Sequence, residues 1–185
     1  MISEIMHDAE DRMNKAIDAL RKEYASLRAG RANPALLEKV MVDYYGVPTP
    51  ITQMANVSAP EPRMLMIQPW DRSTLPNIEK AIQKSDLGLN PSSDGQVIRI
   101  AIPQLTQERR NELVKVAKKK AEDARVAIRN IRRDANDHIK QLEKSRDVSE
   151  DEAKRGQEDI QKSTDKYIKT IDRVAEVKEQ EITEV

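Results

Sequence analysis

The chain of 185 residues contains no cysteine and no phenylalanine. Without cysteine there is no disulfide framework, thiolate nucleophile or cysteine-ligated metal, which fits a reducing cytosol. Aromatic residues make up only 3% of the chain. RNA-binding sheets and oligonucleotide-binding barrels stack bases on exposed aromatic platforms, so any RNA contact here has to run mainly through arginine and shape. Net charge is missing as well: 32 basic and 32 acidic residues cancel, and the molecule as a whole gives no hint of an acidic partner. No segment approaches the ~20 apolar residues that cross a bilayer. The N-terminus, MISEIMHDAEDRMNKAIDAL, carries acids from Glu4 onward and reads as neither a secretory signal nor a transit peptide. The expectation is a cytoplasmic protein with no membrane association.

Charge itself is plentiful. Charged residues are 35% of the chain, against about 25% in an ordinary globular domain, which favours long solvated helices over one compact core. The first segment places apolar residues at Ile2, Met6, Ala9, Met13, Ala16, Leu20, Tyr24 and Leu27. Steps of four and three make one stripe of a long amphipathic helix. Between Leu105 and Arg146 the stripe resumes with Ala117, Ala121, Ala124, Ile128, Ile131, Ala135, His138 and Leu142, on a helix roughly 60 Å long. A third run follows Ser149 and Glu152, which have capping-box spacing. Its stripe is Ala153, Gly156, Ile160, Thr164, Tyr167, Ile171 and Val174. Three such stripes can bury one another in an antiparallel three-helix bundle; the rival arrangement is a dimeric coiled coil. The short connection KSRDVSED favours folding back within one chain.

Between the first and second helices the pattern changes. KVMVDYY, RMLMIQ, part of ITQMANVS and the alternating QVIRIAI read as strands. GVPTP, APEP and NPSSDG read as turns between them. STLPNIEKAIQKS is the one helical piece, with Ile78, Ala81 and Ile82 on its apolar side. The fold class expected is therefore α+β: a long antiparallel three-helix bundle, residues 1–30 and 105–185, with a small β/α/β domain inserted at 31–104. Two chain crossings, RAGRA and IPQLT, would join the parts. RAGR lacks the spacing of a phosphate-binding P-loop and follows a helix instead of a strand. As a helix stop it makes sense, with Gly30 able to turn left-handed and Pro34 blocking further helix.

Neutrality hides a separation of charge. Residues 106–146 hold 13 basic and 7 acidic residues, a balance of +6, and residues 147–185 hold 7 and 12, a balance of −5. At 100° per residue, Lys118, Arg125, Arg129, Arg132, Arg133, Asn136 and Lys140 share one flank of the second helix. Glu112, Asp123, Asp134 and Asp137 share the other, with Glu122 and Glu143 as exceptions. A run of arginines is ordinarily a solvated face paired with acids. Here acids are sorted away and arginine outnumbers lysine, and guanidinium forks match phosphates. That points to a polyanion surface, structured RNA first; a surface for another protein is the alternative. His7 and His138 lack metal-ligand spacing, and His138 falls in the core stripe. Trp70 is expected to pack under the small sheet, with a partner anchor as the alternative, and Asp71 or Ser73 to cap the next helix. No constellation of catalytic groups, metal ligands or cofactor-binding residues stands out, so the chain reads as a non-enzyme.

LRAGRANPALL, YYGVPTP, DRS, KAIQKSDLGLNPSSDG, IRIAIPQLTQERR, ARVAIRNIRRDAND and SEDE follow one another along the chain. In these blocks and their order it resembles the ribosome recycling factors, essentially from end to end. The resemblance implies an L-shaped protein with the outline of a tRNA, one arm a three-helix bundle and the other the small domain. It implies a monomer that enters the ribosome after termination. With elongation factor G and that partner's GTP hydrolysis, it splits the complex into subunits and frees mRNA and tRNA. The family has no catalytic site of its own. Its rRNA-contacting arginines fall on Arg28, Arg31, Arg129, Arg132 and Arg133, to which the flank adds Arg125 and Lys118. Its interdomain joint falls on Arg28, Ala29, Gly30 and Arg31, and on Pro103, Gln104, Leu105 and Thr106. Many members carry Thr and Ser where Ala29 and Asn33 stand; Ala29 lacks the side-chain hydrogen bond such a residue would offer at the joint, while the arginines and Gly30 remain.

Overall fold

The structure, a computed structural model, describes residues 1–27 and 31–184. The chain divides into two compact units, Met1–Ala29 with Gln107–Val185, and Gly30–Thr106.

The first unit is built from three helices, α1 (Ile2–Ser26), α3 (Gln107–Lys144) and α4 (Glu150–Thr183), and each packs on the other two. The end of α1 meets the start of α3, where the buried Tyr24 hydroxyl donates to the Ala117 carbonyl at 2.7 Å. There too the Lys178 ammonium of α4 reaches the Leu27 carbonyl at 3.3 Å. At the other end Gly156 of α4 lies against Ile2 and Ile139. So α1 and α4 run parallel and α3 runs against both. The turn between α3 and α4 closes within the chain. Arg146 takes a left-handed φ of 59°, and the Asp147 and Val148 amides donate back to the Leu142 carbonyl. Ser149 then starts α4 with the expected capping box: its hydroxyl accepts from the Glu152 amide, and the Glu152 carboxylate accepts from the Ser149 amide. Tight backbone closure of this kind makes the dimeric coiled coil unnecessary.

The stripes are right in period and off by one residue in places. On α1 the buried residues are Ile5, Ala9, Met13, Ile17, Leu20 and Tyr24, with Met6 and Ala16 half-buried beside Ile5 and Ile17. On α3 the core position is Ile139, and His138 is exposed, contrary to its assignment to the core stripe. It borders a cleft of about 250 Å³ between α1 and α3, lined also by Asp8, Arg12 and Asp134. On α4 Ala175 is buried and Val174 is not. Each shift has one cause. A core between three helices is a broad face, and the packing chooses the larger or better-placed of two adjacent residues that a stripe at ±50° cannot separate.

The second unit holds a hairpin, β1 (Met41–Tyr44) with β2 (Val47–Pro50), and a four-stranded antiparallel sheet. The sheet runs in the order β3 (Ala55–Glu61), β4 (Met64–Pro69), β6 (Ile98–Ala101), β5 (Pro91–Ser93). One helix, α2 (Leu75–Lys84), contributes Leu75, Ile78 and Ile82 to a core completed by Leu65, Ile67, Ile98 and Ile100. Asp71 caps the short 3-10 turn leading into α2, accepting from the Ser73 amide at 3.0 Å.

GVPTP, APEP and NPSSDG are not turns alone: β2, the end of β3 and β5 run through them. The reason is edge position. Pro48 and Pro50 stand opposite Asp43 and Met41, on every second rung of the ladder. In a two-residue hairpin closing at Tyr44 and Val47 the ladder bonds fall on the other rungs, so the missing N–H groups cost nothing. That hairpin turns through Tyr45 (φ 49°) and Gly46 (φ 83°), the pair of positive φ values that matches strand twist. The Asp43 carboxylate braces it by accepting from the Gly46 amide at 2.8 Å.

Trp70 overturns an expectation outright. It is 69% exposed, because β4 ends at Pro69 and the chain leaves the sheet there. Tyr45 is also exposed, its ring edge-on to Tyr44 at 4.6 Å.

Asp94 organises the β5–β6 turn. Its carboxylate accepts from the Gln96 and Val97 amides at 2.9 Å and from Arg99 at 2.7 Å. These hydrogen bonds, the Val97 amide first, hold its pKa far below the usual carboxylate range. A depressed folded-state pKa gives stability that is complete above the unfolded value and lost as pH falls towards the folded one. Asp94→Ala should therefore melt below the wild type by a margin that is constant from pH 5 to 8 and narrows below about pH 4 in thermal scans.

Candidate nucleic-acid interface

The flank of α3 that carries the arginines faces outward alongside α4. Arg125 reaches across, with Nε 2.8 Å from Asp172 Oδ1. Two turns on, the Arg132 Nη1 donates to Gln161 Oε1 of α4 at 3.4 Å. Arg129 stays on its own helix, donating through Nη2 to Glu122 Oε1 at 3.0 Å, and Arg125 Nη1 takes the other oxygen at 3.2 Å. Arg133 and Lys118 are exposed and make no ion pair among the described residues. Asn136, also on this flank, has a buried side-chain oxygen with no hydrogen-bond partner among the described residues.

The opposite flank faces α1. There Asp134 pairs with Arg12 at 3.3 Å and Lys120 with Glu23 at 3.1 Å. One side of α3 thus joins α1 through Asp134 and Lys120, and the arginines lie on the other side. Sorting is incomplete, however. Arg125 and Arg129 are paired with acids, Asp172 from the neighbouring helix and Glu122 from their own. The sequence of α3 alone could not reveal the first, since Asp172 lies 47 residues away. Arg110, a turn into α3, is buried and is not part of the flank.

Arg28, Ala29 and Gly30 lie outside the described residues. Arg31 is exposed. Pro103, Gln104 and Thr106 are exposed, Leu105 is half-buried, and residues 102–106 carry no regular secondary structure. Both ends of the small unit are moored to the same turn: the Ala32 amide donates to the Pro62 carbonyl at 2.7 Å, and the Ile102 amide to the Arg63 carbonyl at 2.8 Å. The chain thus enters and leaves this unit at one place. Asn33 accepts from the Ala35 amide at 3.0 Å and starts the 3-10 turn that Pro34 opens.

The family model described as Ribosome recycling factor matches residues 20–183 of this chain. The chain belongs to the ribosome recycling factor family. It is 66% identical to the ribosome-recycling factor of Heliobacterium modesticaldum and 64% identical to that of Carboxydothermus hydrogenoformans, over the full length of both partners in each case. The fold matches a solution structure of a ribosome recycling factor with a TM-score of 0.78 and 46% identity, covering 100% of this chain and 98% of that one. It also matches the Thermus thermophilus factor placed with Escherichia coli elongation factor G on the E. coli post-termination complex. The TM-score there is 0.66 and the identity 50%, with both chains covered in full. The mixture of a helical bundle and a small sheet unit is thus this family's architecture. Among the described residues, no helix is long and apolar enough to cross a membrane.

Proposed function

We propose that this recycling factor binds the post-termination ribosome through the arginine flank of α3 and, with elongation factor G and GTP, splits it into subunits. The observation that supports the RNA contact is the division of α3: Asp134 and Lys120 are spent on α1, while on the other flank Arg133 and Lys118 are exposed and Arg129 and Arg132 are half-exposed. The contact surface is proposed to be Arg125, Arg129, Arg132, Arg133 and Lys118, with Arg28 and Arg31 extending it. The chain itself acts as a translation factor and not as a catalyst, in the cytoplasm and as a monomer; hydrolysis belongs to the GTPase partner.

The joint is proposed at Arg28–Arg31 and Pro103–Thr106. The single mooring of the small unit's two ends at Pro62–Arg63 supports this, because a unit held at one place can turn as a body. The bundle would stay on large-subunit rRNA while the small unit swings under the partner's push. Trp70, exposed in the small unit, fits the partner-anchor alternative.

Polysome breakdown with and without elongation factor G and GTP tests the function. Conversion to subunits should need the factor, the partner and GTP together; conversion by the factor alone would refute it. A disulfide locking the two units, through introduced cysteines, should abolish splitting until it is reduced. A locked protein that still splits ribosomes would show the swing to be unnecessary.

A further inference from the structure

One carboxylate sits inside the arginine flank. Glu122 accepts from Arg129 on one oxygen at 3.0 Å and from Arg125 on the other at 3.2 Å. The spacings of seven and three residues stack the three side chains on one outward face of α3. Half of the Glu122 side chain remains open to solvent, so the two guanidiniums converge on a surface anion. Two forks meeting two oxygens of one anionic group is also how arginines hold a phosphate. Hydrogen bonds from Arg129 and then Arg125 keep the Glu122 carboxyl below its ordinary range, so it is ionised at neutral pH.

We propose that Glu122 stands in, in the free protein, for a backbone phosphate of the RNA, and that it competes with that phosphate for Arg125 and Arg129. The proposal rests on the RNA-facing reading of the flank and adds a residue that limits how tightly the flank holds. The two arginines differ in what they keep. Arg125 retains Asp172 at 2.8 Å when Glu122 is displaced, and so stays in place. Arg129 has no second acid among the described residues and is the side chain that changes partner. A factor that must leave the ribosome after each round gains from such a competitor, because affinity among related complexes is set mainly by the dissociation rate.

Glu122→Gln keeps the shape and removes the charge. It should bind isolated large subunits about fivefold more tightly at low salt, the effect of removing one like charge some 4 Å from a phosphate in water. The salt dependence should steepen, and multiple-turnover recycling should slow while a single round does not. Asp172→Asn, which loosens the anchor of Arg125 instead, should not tighten binding. If the Glu122 pair only stabilises the helix, Glu122→Gln leaves affinity unchanged; if it pre-orients the arginines, binding weakens. Either result overturns the competitor role. Charge reversal at Arg132 and Arg133 separates the two readings. Loss of binding there with no gain at Glu122 refutes the competitor alone, whereas no change in either refutes the RNA-facing flank itself.

Discussion

Arg132→Glu combined with Arg133→Glu should weaken binding to the large subunit about a hundredfold, through the removal of two charge-assisted hydrogen bonds of about 1.5 kcal/mol each. The fold should survive. Arg133 has no intramolecular partner among the described residues, and Arg132 gives up only a 3.4 Å bond to Gln161. Helical circular dichroism and melting temperature should therefore stay near wild type while co-sedimentation falls. Salt provides the independent check. Each phosphate neutralised releases condensed counterions, so the slope of log affinity against log salt should shallow by about one for every phosphate that goes unneutralised. Unchanged affinity and slope in a folded double variant would mean that the flank is not the RNA surface. A protein-only partner would in any case show weak salt dependence throughout.

Ile160→Ala is expected to have the largest effect on stability. Ile160 is fully buried on α4, within the bundle, where the rods around it cannot collapse into the space. Removing three carbons from such a site costs about 3–4 kcal/mol in transfer and cavity terms, roughly a 10–20 °C fall in melting temperature for a unit of this size. The same truncation at Val174, half-buried beside the core residue Ala175, should cost about 1 kcal/mol or less. Thermal melts of the two variants would show which residue carries the stripe. Equal losses would put the core where the sequence periodicity first placed it.

Gly156 shows why that core tolerates so little. A Cβ there would lie 3.1 Å from Ile2 and 3.2 Å from Ile139, so the three helices meet at the one position without a side chain. The methyl ends of two isoleucines can yield a few tenths of an ångström, but a larger residue would push the start of α1 off the seam. The smallest residue is thus placed where the ends of two isoleucine side chains from α1 and α3 press on α4, which periodicity alone cannot indicate.

Much was legible from local rules. Three long helices, the capping box at Ser149, the cap at Asp71, the apolar face of α2 and the arginine flank all depend on residues within a turn or two of one another. Period, capping chemistry and charge sorting are local properties, and the chain states them directly. The blocks from LRAGR to SEDE also carried the family. What tertiary structure decided was everything that depends on a neighbour from elsewhere in the chain. Packing chose Ile5, Ile17, Ile139 and Ala175 over the residues beside them, and left His138 at the surface. Pairing turned prolines at Pro48, Pro50 and Pro91 into edge-strand residues, since only the ladder register shows which N–H groups are dispensable. The end of β4 exposed Trp70, although its composition suggested burial. The flank itself gained Asp172 and Gln161 from α4, which meet Arg125 and Arg132, while Arg129 is left to Glu122 of its own helix.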